Sequence, residues 1–140
     1  MNKNKFFLRK SYKKQRSLLD INQVKELNTR IFKNLLELNI WEKSCYHLYL
    51  SNEINNEAET GEIINLLFKK HKRVFVPKIQ GSNLMNIEID NNTNYSLNYL
   101  GIKEPLSSNQ KDTNLLEVIF VPLLVFDTLG HRVGYGGGYY

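Results

Sequence analysis

Cysteine is nearly absent: Cys45 stands alone in 140 residues. That excludes an intramolecular disulfide and a cysteine-built metal site. Cys45 opens an apolar run, so it reads as a small buried hydrophobe rather than a nucleophile. Histidine is scarce as well. His47, His71 and His131 are too scattered for a metal-ligand spacing and read as a strand residue, a helix end and a turn. No apolar stretch approaches the ~20 residues that a transmembrane helix needs. The basic N-terminus is followed by no signal-type apolar core or small-residue cleavage site, so the expected compartment is the cytoplasm. Acidic residues are outnumbered, 14 Asp+Glu against 19 Lys+Arg, for a net charge of +5. The balance favours anionic partners such as nucleotides, polyglutamylated metabolites or nucleic acid. It selects none of them, because the accompanying excess of Lys, Asn and Ile is also what AT-rich coding produces.

What is present suffices for one domain. Apolar residues make up 41% and aromatics 11% of the chain, and a chain of this size buries roughly two-thirds of its unfolded surface. Residues 3–19 have helical periodicity. Leu8, Tyr12 and Leu19 share one face, and Lys5, Arg9, Lys13 and Arg16 form a basic stripe on another. By spacing alone that stripe is a solvated face. Asp20 and Gln23 have the spacing of a capping box for a second helix. Val24, Leu27, Ile31, Leu35 and Leu38 then form its core-facing stripe, followed by Trp41 as a core residue. Residues 46–50 read as a strand and 51–56 as a polar loop. A third helix is expected from about residue 57, burying Ile63, Ile64, Leu67 and Phe68, with an acidic first turn that suits the helix dipole. Further strands are expected at 73–77, 84–89 and 117–121, the last covered on both faces. Turns and loops fall at 81–83, 90–94 and 107–114. Strands alternating with helices predict an α/β fold: a three-layer α/β/α sandwich with a largely parallel sheet and Rossmann-like topology.

The densest punctuation comes last. Residues 121–140 carry an apolar run, Pro122, a turn at Gly130, Arg132, and then Gly134, Gly136, Gly137 and Gly138 interleaved with tyrosines. Such a segment brings backbone N–H groups close to an anion. Arg132 adds a planar charged fork, and Tyr135, Tyr139 and Tyr140 offer ring faces to a flat heterocycle. On glycine density alone a flexible turn is an equal reading. The segment is not a P-loop, since no Gly-Lys-Ser/Thr ends it, and it lacks the third glycine of a dinucleotide fingerprint.

The same segment resembles the signature of the 5-formyltetrahydrofolate cyclo-ligase family, Val/Met-Pro-x-x-x-Phe-Asp-x-x-Gly-x-Arg-x-Gly-x-Gly-x-Gly-Tyr-Tyr-Asp. Pro122, Phe126, Asp127, Gly130, Arg132, Gly134, Gly136, Gly138, Tyr139 and Tyr140 fall on it in register, while Leu123 and Val125 depart from its small residues. Three further matches span the chain. Lys5-Phe6-Phe7-Leu8-Arg9 resembles the family's opening Lys-x-x-Leu-Arg motif. Glu57 falls on the first glutamate of a Glu-x-Glu-Thr motif, with Leu50 at the preceding strand end. Gly101-Ile102-Lys103-Glu104-Pro105 resembles a Gly-Ile-x-Glu-Pro segment.

The resemblance implies an ATP- and Mg²⁺-dependent cyclisation of 5-formyltetrahydrofolate to 5,10-methenyltetrahydrofolate. The formyl oxygen is phosphorylated, N10 attacks the activated carbon, and phosphate leaves. It implies catalytic roles for Arg9 and Arg132. ATP contacts are implied for Lys5, Phe6, Phe7, Leu8, Arg9, Arg132, Val133, Gly134, Tyr135, Gly136, Gly137, Gly138, Tyr139 and Tyr140. Folate contacts are implied for Arg9, Leu50, Glu57, Tyr135, Gly136, Gly137, Gly138 and Tyr139. A carboxylate at Glu57 suits the paired N–H donors of a pterin. The family's Mg²⁺-binding aspartate would follow Tyr140, so no metal ligand is expected within the 140 residues and a C-terminally truncated domain is expected. The expected partner is the small-molecule folate, polyglutamylated forms included, with no nucleic acid or membrane and a monomeric state. A basic nucleic-acid-binding module using the stripe and the Gly/Tyr tail, or a catalytically silent nucleotide-binding relative, stands as the alternative.

Overall fold

The computed structural model describes residues 3–140. Three helices, α1 (Lys3–Ser17), α2 (Ile21–Leu36) and α3 (Gly61–Lys69), accompany eight strands. Four strands form the central sheet: β1 (Cys45–Leu48), β2 (Arg73–Gln80), β3 (Asn83–Ile89) and β6 (Val118–Phe120), in the order β3-β2-β1-β6. β1 runs parallel to both β2 and β6, and within this sheet the β2–β3 hairpin is antiparallel. The architecture is thus α/β with a largely parallel central sheet, as the alternation of elements predicts.

Register explains the core. Tyr46 lies opposite Val74 and Val118, so Tyr46, Leu48, Val74 and Val76 alternate onto one sheet face. Ile63, Ile64 and Leu67 of α3 and Phe32 and Leu35 of α2 cover that face. Trp41 stacks on the Tyr46 ring at 6.4 Å. The Tyr46 hydroxyl donates towards the carbonyls of Ile40 and Lys43 at 2.9 and 3.0 Å, so the buried ring leaves no orphan polar atom. Cys45 is buried, as expected.

The first capping prediction holds. Asp20 accepts from the Asn22 and Gln23 N–H groups at 2.8 and 2.9 Å, and Gln23 returns the bond to the Asp20 N–H at 3.0 Å. Four other expectations need correction. α1 ends at Ser17 rather than residue 19, because the Leu18 and Leu19 N–H groups close tight turns onto Gln15 and Arg16. The α2 stripe is only half used. Leu27 and Ile31 remain 40% exposed and Leu38 49%, because Phe32 and Leu35 make the core contact. The third helix starts at Gly61 rather than near 57. Asn56 takes a left-handed conformation (φ +47°), and the Glu57 N–H closes back onto the Asn52 carbonyl at 3.2 Å, so the chain is still turning there. Thr60 pins the helix start to the strand exit through a 2.7 Å bond to the Tyr49 carbonyl. Finally, β6 is not covered on both faces. It is an edge strand, and Ile119 is 52% exposed.

The Gly-Ile-Lys-Glu-Pro segment forms the return strand of a small hairpin, β4 (Tyr95–Leu97) with β5 (Lys103–Pro105). Its Glu104 is buried and accepts from the Ile79 N–H of β2 at 2.8 Å and from Asn98 Nδ2 at 2.9 Å. The hairpin thereby covers the half of β2 that extends past β1.

Candidate functional site

Beyond β6 the chain enters a second hairpin, β7 (Val125–Phe126) with β8 (Arg132–Val133). Asp127 shapes its turn. Its Oδ1 accepts from the Leu129 and His131 N–H groups, each at 2.9 Å, and its Oδ2 meets His131 Nδ1 at 2.9 Å. These contacts hold the Asp127 carboxyl below its usual range, the His131 side chain most of all. Gly130 sits at φ +84°, where a side chain would be strained. The Phe-Asp-x-x-Gly portion of the signature is therefore a turn-forming device.

The hairpin delivers the glycine segment to α1. Arg9 Nε donates to the Gly134 carbonyl at 2.9 Å. Gly136, at φ +106°, passes over the Arg9 guanidinium, and a Cβ there would lie 3.4 Å from Cζ. Two helical turns further along the same face, Arg16 Nη1 bonds the Tyr135 hydroxyl, and its Nη2 donates to the Leu123 carbonyl at 3.0 Å. Lys13 Nζ stands 5.7 Å from the Tyr135 ring centre. The basic stripe is thus divided. Arg9 and Arg16 are half-buried against the C-terminal segment, while Lys5 remains solvated.

Glu57 closes the other side. Its Oε2 accepts from the Asn52 N–H at 2.7 Å, and Asn56 beside it donates to the Arg16 carbonyl at 3.0 Å. Glu57, Tyr12, Arg16, Tyr49 and Tyr135 line a cleft of about 400 Å³ whose floor is the 121–126 segment. Burial, reinforced by the Glu57 charge, raises the Tyr49 phenol to about 12 and lifts Tyr135 and Tyr140 well above the usual phenol value. All three stay protonated hydrogen-bond donors around one carboxylate. Tyr140 also sets its ring edge-on against buried His47 at 5.8 Å. A second, more polar hollow of about 420 Å³ lies between Gly138, Tyr139, Gln110 and the β2–β3 turn.

The structure therefore brings Arg9, Glu57, Gly134, Tyr135 and Gly136 together across the length of the chain. Gly138 and Tyr139 border the second hollow, and the Tyr139 ring crowds Gly137, where a Cβ would meet it at 2.8 Å. Arg132 is exposed on β8, opposite Phe126, and Val133 gives its carbonyl to the Leu124 N–H at 2.9 Å. Phe6 and Phe7 are exposed, 50% and 64%, and meet edge-to-face; Leu8 is 37% exposed. Leu50 packs against the core cluster. Sequence reasoning did not place Tyr12, Tyr49, Asn56 or Arg16 in the site. For Arg16 a signal existed: it lies seven residues from Arg9, two turns along the same face. Among the described residues no three His, Cys, Asp or Glu side chains cluster as a metal site.

Chemically, two guanidinium groups and a backbone of small residues suit a phosphorylated ligand. A lone carboxylate among protonated tyrosines suits a heterocycle bearing N–H donors. A family model for the 5-formyltetrahydrofolate cyclo-ligase family matches residues 1–140. A Schizosaccharomyces pombe protein described as "Probable 5-formyltetrahydrofolate cyclo-ligase" is 35% identical over 116 residues, 79% of this chain and 56% of the relative. The Haemophilus influenzae 5-formyltetrahydrofolate cyclo-ligase is 28% identical over 127 residues, 87% of this chain and 66% of the relative. The chain spans between 50% and 66% of the length of such curated relatives. The solved Aquifex aeolicus 5,10-methenyltetrahydrofolate synthetase superposes with a TM-score of 0.82 at 25% identity, covering 97% of this chain and 69% of that one. A Mycoplasma pneumoniae 5,10-methenyltetrahydrofolate synthetase gives 0.74 at 22% identity, 100% of this chain and 75% of that one, which supports the fold.

Proposed function

The chain belongs to the 5-formyltetrahydrofolate cyclo-ligase family, and from that premise we propose that it serves ATP-dependent closure of 5-formyltetrahydrofolate to 5,10-methenyltetrahydrofolate. The observation that carries the reading is that the glycine segment meets both other motifs: Arg9 bonds Gly134 at a sequence separation of 125, and Tyr135 next to it lines one cleft with Glu57. Residues implied by three separate motifs converge there, and an accidental Gly/Tyr turn would have no reason to meet the other two.

In this reading no side chain acts as a nucleophile. ATP supplies the phosphoryl group, and the protein positions it and offsets its charge. Arg9 orients the glycine backbone through Gly134 and keeps the remaining edge of its guanidinium for phosphate. Arg132, exposed beside the segment, adds a second charge from the hairpin. Glu57 accepts from the pterin N–H groups, Tyr135 flanks the ring in the same cleft, and Tyr139 reaches the ligand from the second hollow. Mg²⁺ accompanies ATP in the proposal. Glu57 is the one carboxylate lining the cleft, and one of its oxygens is already engaged. These residues alone do not make a magnesium site, so no step is assigned to the metal.

The proposed partner is a small folate, with polyglutamate tails drawn to the net positive charge, handled by a monomer in the cytoplasm. Among the described residues no helix is long and apolar enough to cross a membrane. A nucleic-acid module is disfavoured because Arg9 and Arg16, half of the basic stripe, are turned onto the chain's own carbonyls and phenol. The test is absorbance detection of methenyltetrahydrofolate formed from 5-formyltetrahydrofolate, with and without ATP. ATP-dependent product supports the proposal. Binding to single-stranded nucleic acid that collapses between about 50 and 200 mM salt, with no product, would support the alternative.

A further inference from the structure

We propose that Arg16 is a positioning residue for the glycine segment, acting as the second half of a two-point clamp whose first half is Arg9. The proposal rests on the functional reading above for its consequence but not for its geometry. Arg9 and Arg16 lie seven residues apart, two helical turns along one face of α1. They take hold of consecutive residues, Arg9 through the Gly134 carbonyl and Arg16 through the Tyr135 hydroxyl.

One bond would leave the hairpin and the segment free to pivot about it, and two fix an orientation. Arg16 adds a third hold on the same body. Its Nη2 donates to the Leu123 carbonyl at 3.0 Å, just where the chain leaves β6 for the β7–β8 hairpin. The main chain at Arg16 is itself fixed, since Asn56 Nδ2 donates to its carbonyl at 3.0 Å. Asn56 directly precedes Glu57, whose carboxylate closes the cleft. One residue therefore registers the helix bearing Arg9, the turn bearing Glu57 and the glycine segment against one another.

The planar fork matters here. Two nitrogens of one rigid group reach acceptors in two different segments, a phenol oxygen and a backbone carbonyl, while a lysine ammonium is a single point. Arg16 is half-buried, and both of these donors are occupied within the chain. Although Arg16 lines the cleft, the role proposed here is the hold it keeps on the segment through these two bonds.

The experiment uses the whole 140-residue chain as wild type, Arg16→Ala, Arg16→Lys and Tyr135→Phe. Hydrogen exchange is followed at the hairpin amides of Leu124 and Asp127, which bond the Val133 and His131 carbonyls at 2.9 and 3.1 Å. ATP titration is run alongside. Arg16→Ala is expected to speed hairpin exchange by about tenfold or more, the worth of a charge-assisted bond, with β1 and β2 amides unchanged. Arg16→Lys is expected to recover part of that protection, and Tyr135→Phe to lose part of it. ATP affinity should follow the same order, with the Lys variant between wild type and Ala. Unchanged hairpin exchange in Arg16→Ala overturns the clamp. So does an equal acceleration in β1 and β2, which would mark a general stability role, or an ATP affinity that stays at the wild-type value while the hairpin loosens. If wild type binds no ATP, the functional reading fails, and the exchange pattern still decides whether the clamp exists.

Discussion

Arg9 donates its Nε–H to the Gly134 carbonyl at 2.9 Å, and two residues later Gly136 crosses above the same guanidinium. The helix at one end of the sequence and the glycine segment at the other thus share one contact. Gly136 is tied to it twice over. Its φ of +106° is a conformation that L side chains rarely adopt, and a Cβ would come within 3.4 Å of Arg9 Cζ and Nε.

Gly136→Ala is therefore expected to separate the two elements. Strain of about 1–3 kcal/mol is relieved by a change of backbone at 136, which shifts the segment relative to Arg9. The expected result is at least a tenfold loss of ATP affinity with a thermal midpoint close to wild type. Calorimetric titration and a thermal melt on the same sample check both. An Ala variant that binds ATP normally would show that the segment does not need to lie on Arg9.

Arg9 carries charge and geometry together, and two variants divide them. Arg9→Ala should nearly abolish ATP-dependent cyclisation while circular dichroism stays native, because the residue is half-buried against a loop rather than in the core. Arg9→Lys keeps the charge but not the planar fork, so it should restore little. Lys5→Ala, on the solvated part of the stripe, should weaken ATP binding by less than Arg9→Ala. Full activity in Arg9→Ala would return Arg9 to a surface role.

Elements whose signal is local were readable in advance. The Asp20–Gln23 capping box, the strands expected at 46–50 and 73–77, and the turn at Gly130 all depend on neighbours a few residues away. What stayed hidden depends on distant partners. Nothing in residues 57–60 shows that the chain turns back onto Asn52 before α3 begins. The apolar run of β6 does not show that it lies at a sheet edge. Arg16 reads as a solvated charge until residue 135 is folded beside it.

The late start of α3 bears on Glu57. Placed four residues ahead of Gly61 and bonded to the Asn52 N–H, it is not a first-turn carboxylate, so helix-dipole stabilisation is not its role. Glu57→Gln keeps the size and an acceptor for Asn52 while removing the charge. Folate affinity should fall by about tenfold or more, the difference between a charge-assisted and a neutral pair, with ATP affinity and thermal midpoint nearly unchanged. A lowered melting temperature with normal folate binding would assign Glu57 to the loop instead.

His47 offers a test of the sheet beneath the site. It is 4% exposed, its Nδ1 has no hydrogen-bond partner, and burial holds its pKa at about 4, below the ordinary 6.5. The folded protein therefore keeps the ring neutral where the unfolded chain would protonate it. Above pH 6.5 both states are neutral and His47 costs nothing. As pH falls from 6.5 towards 4, the unfolded state takes up a proton that the folded state refuses, and stability declines. Below 4 both are charged and the loss levels off. The full difference corresponds to about 3 kcal/mol. Urea midpoints at pH 7 and pH 4.5 should therefore diverge strongly in wild type and much less in His47→Leu, which removes the titrating group while filling the space beside Tyr140. If the Leu variant loses as much stability on acidification as wild type, the ring is protonated inside the fold and the face of the sheet under Tyr140 is open to water.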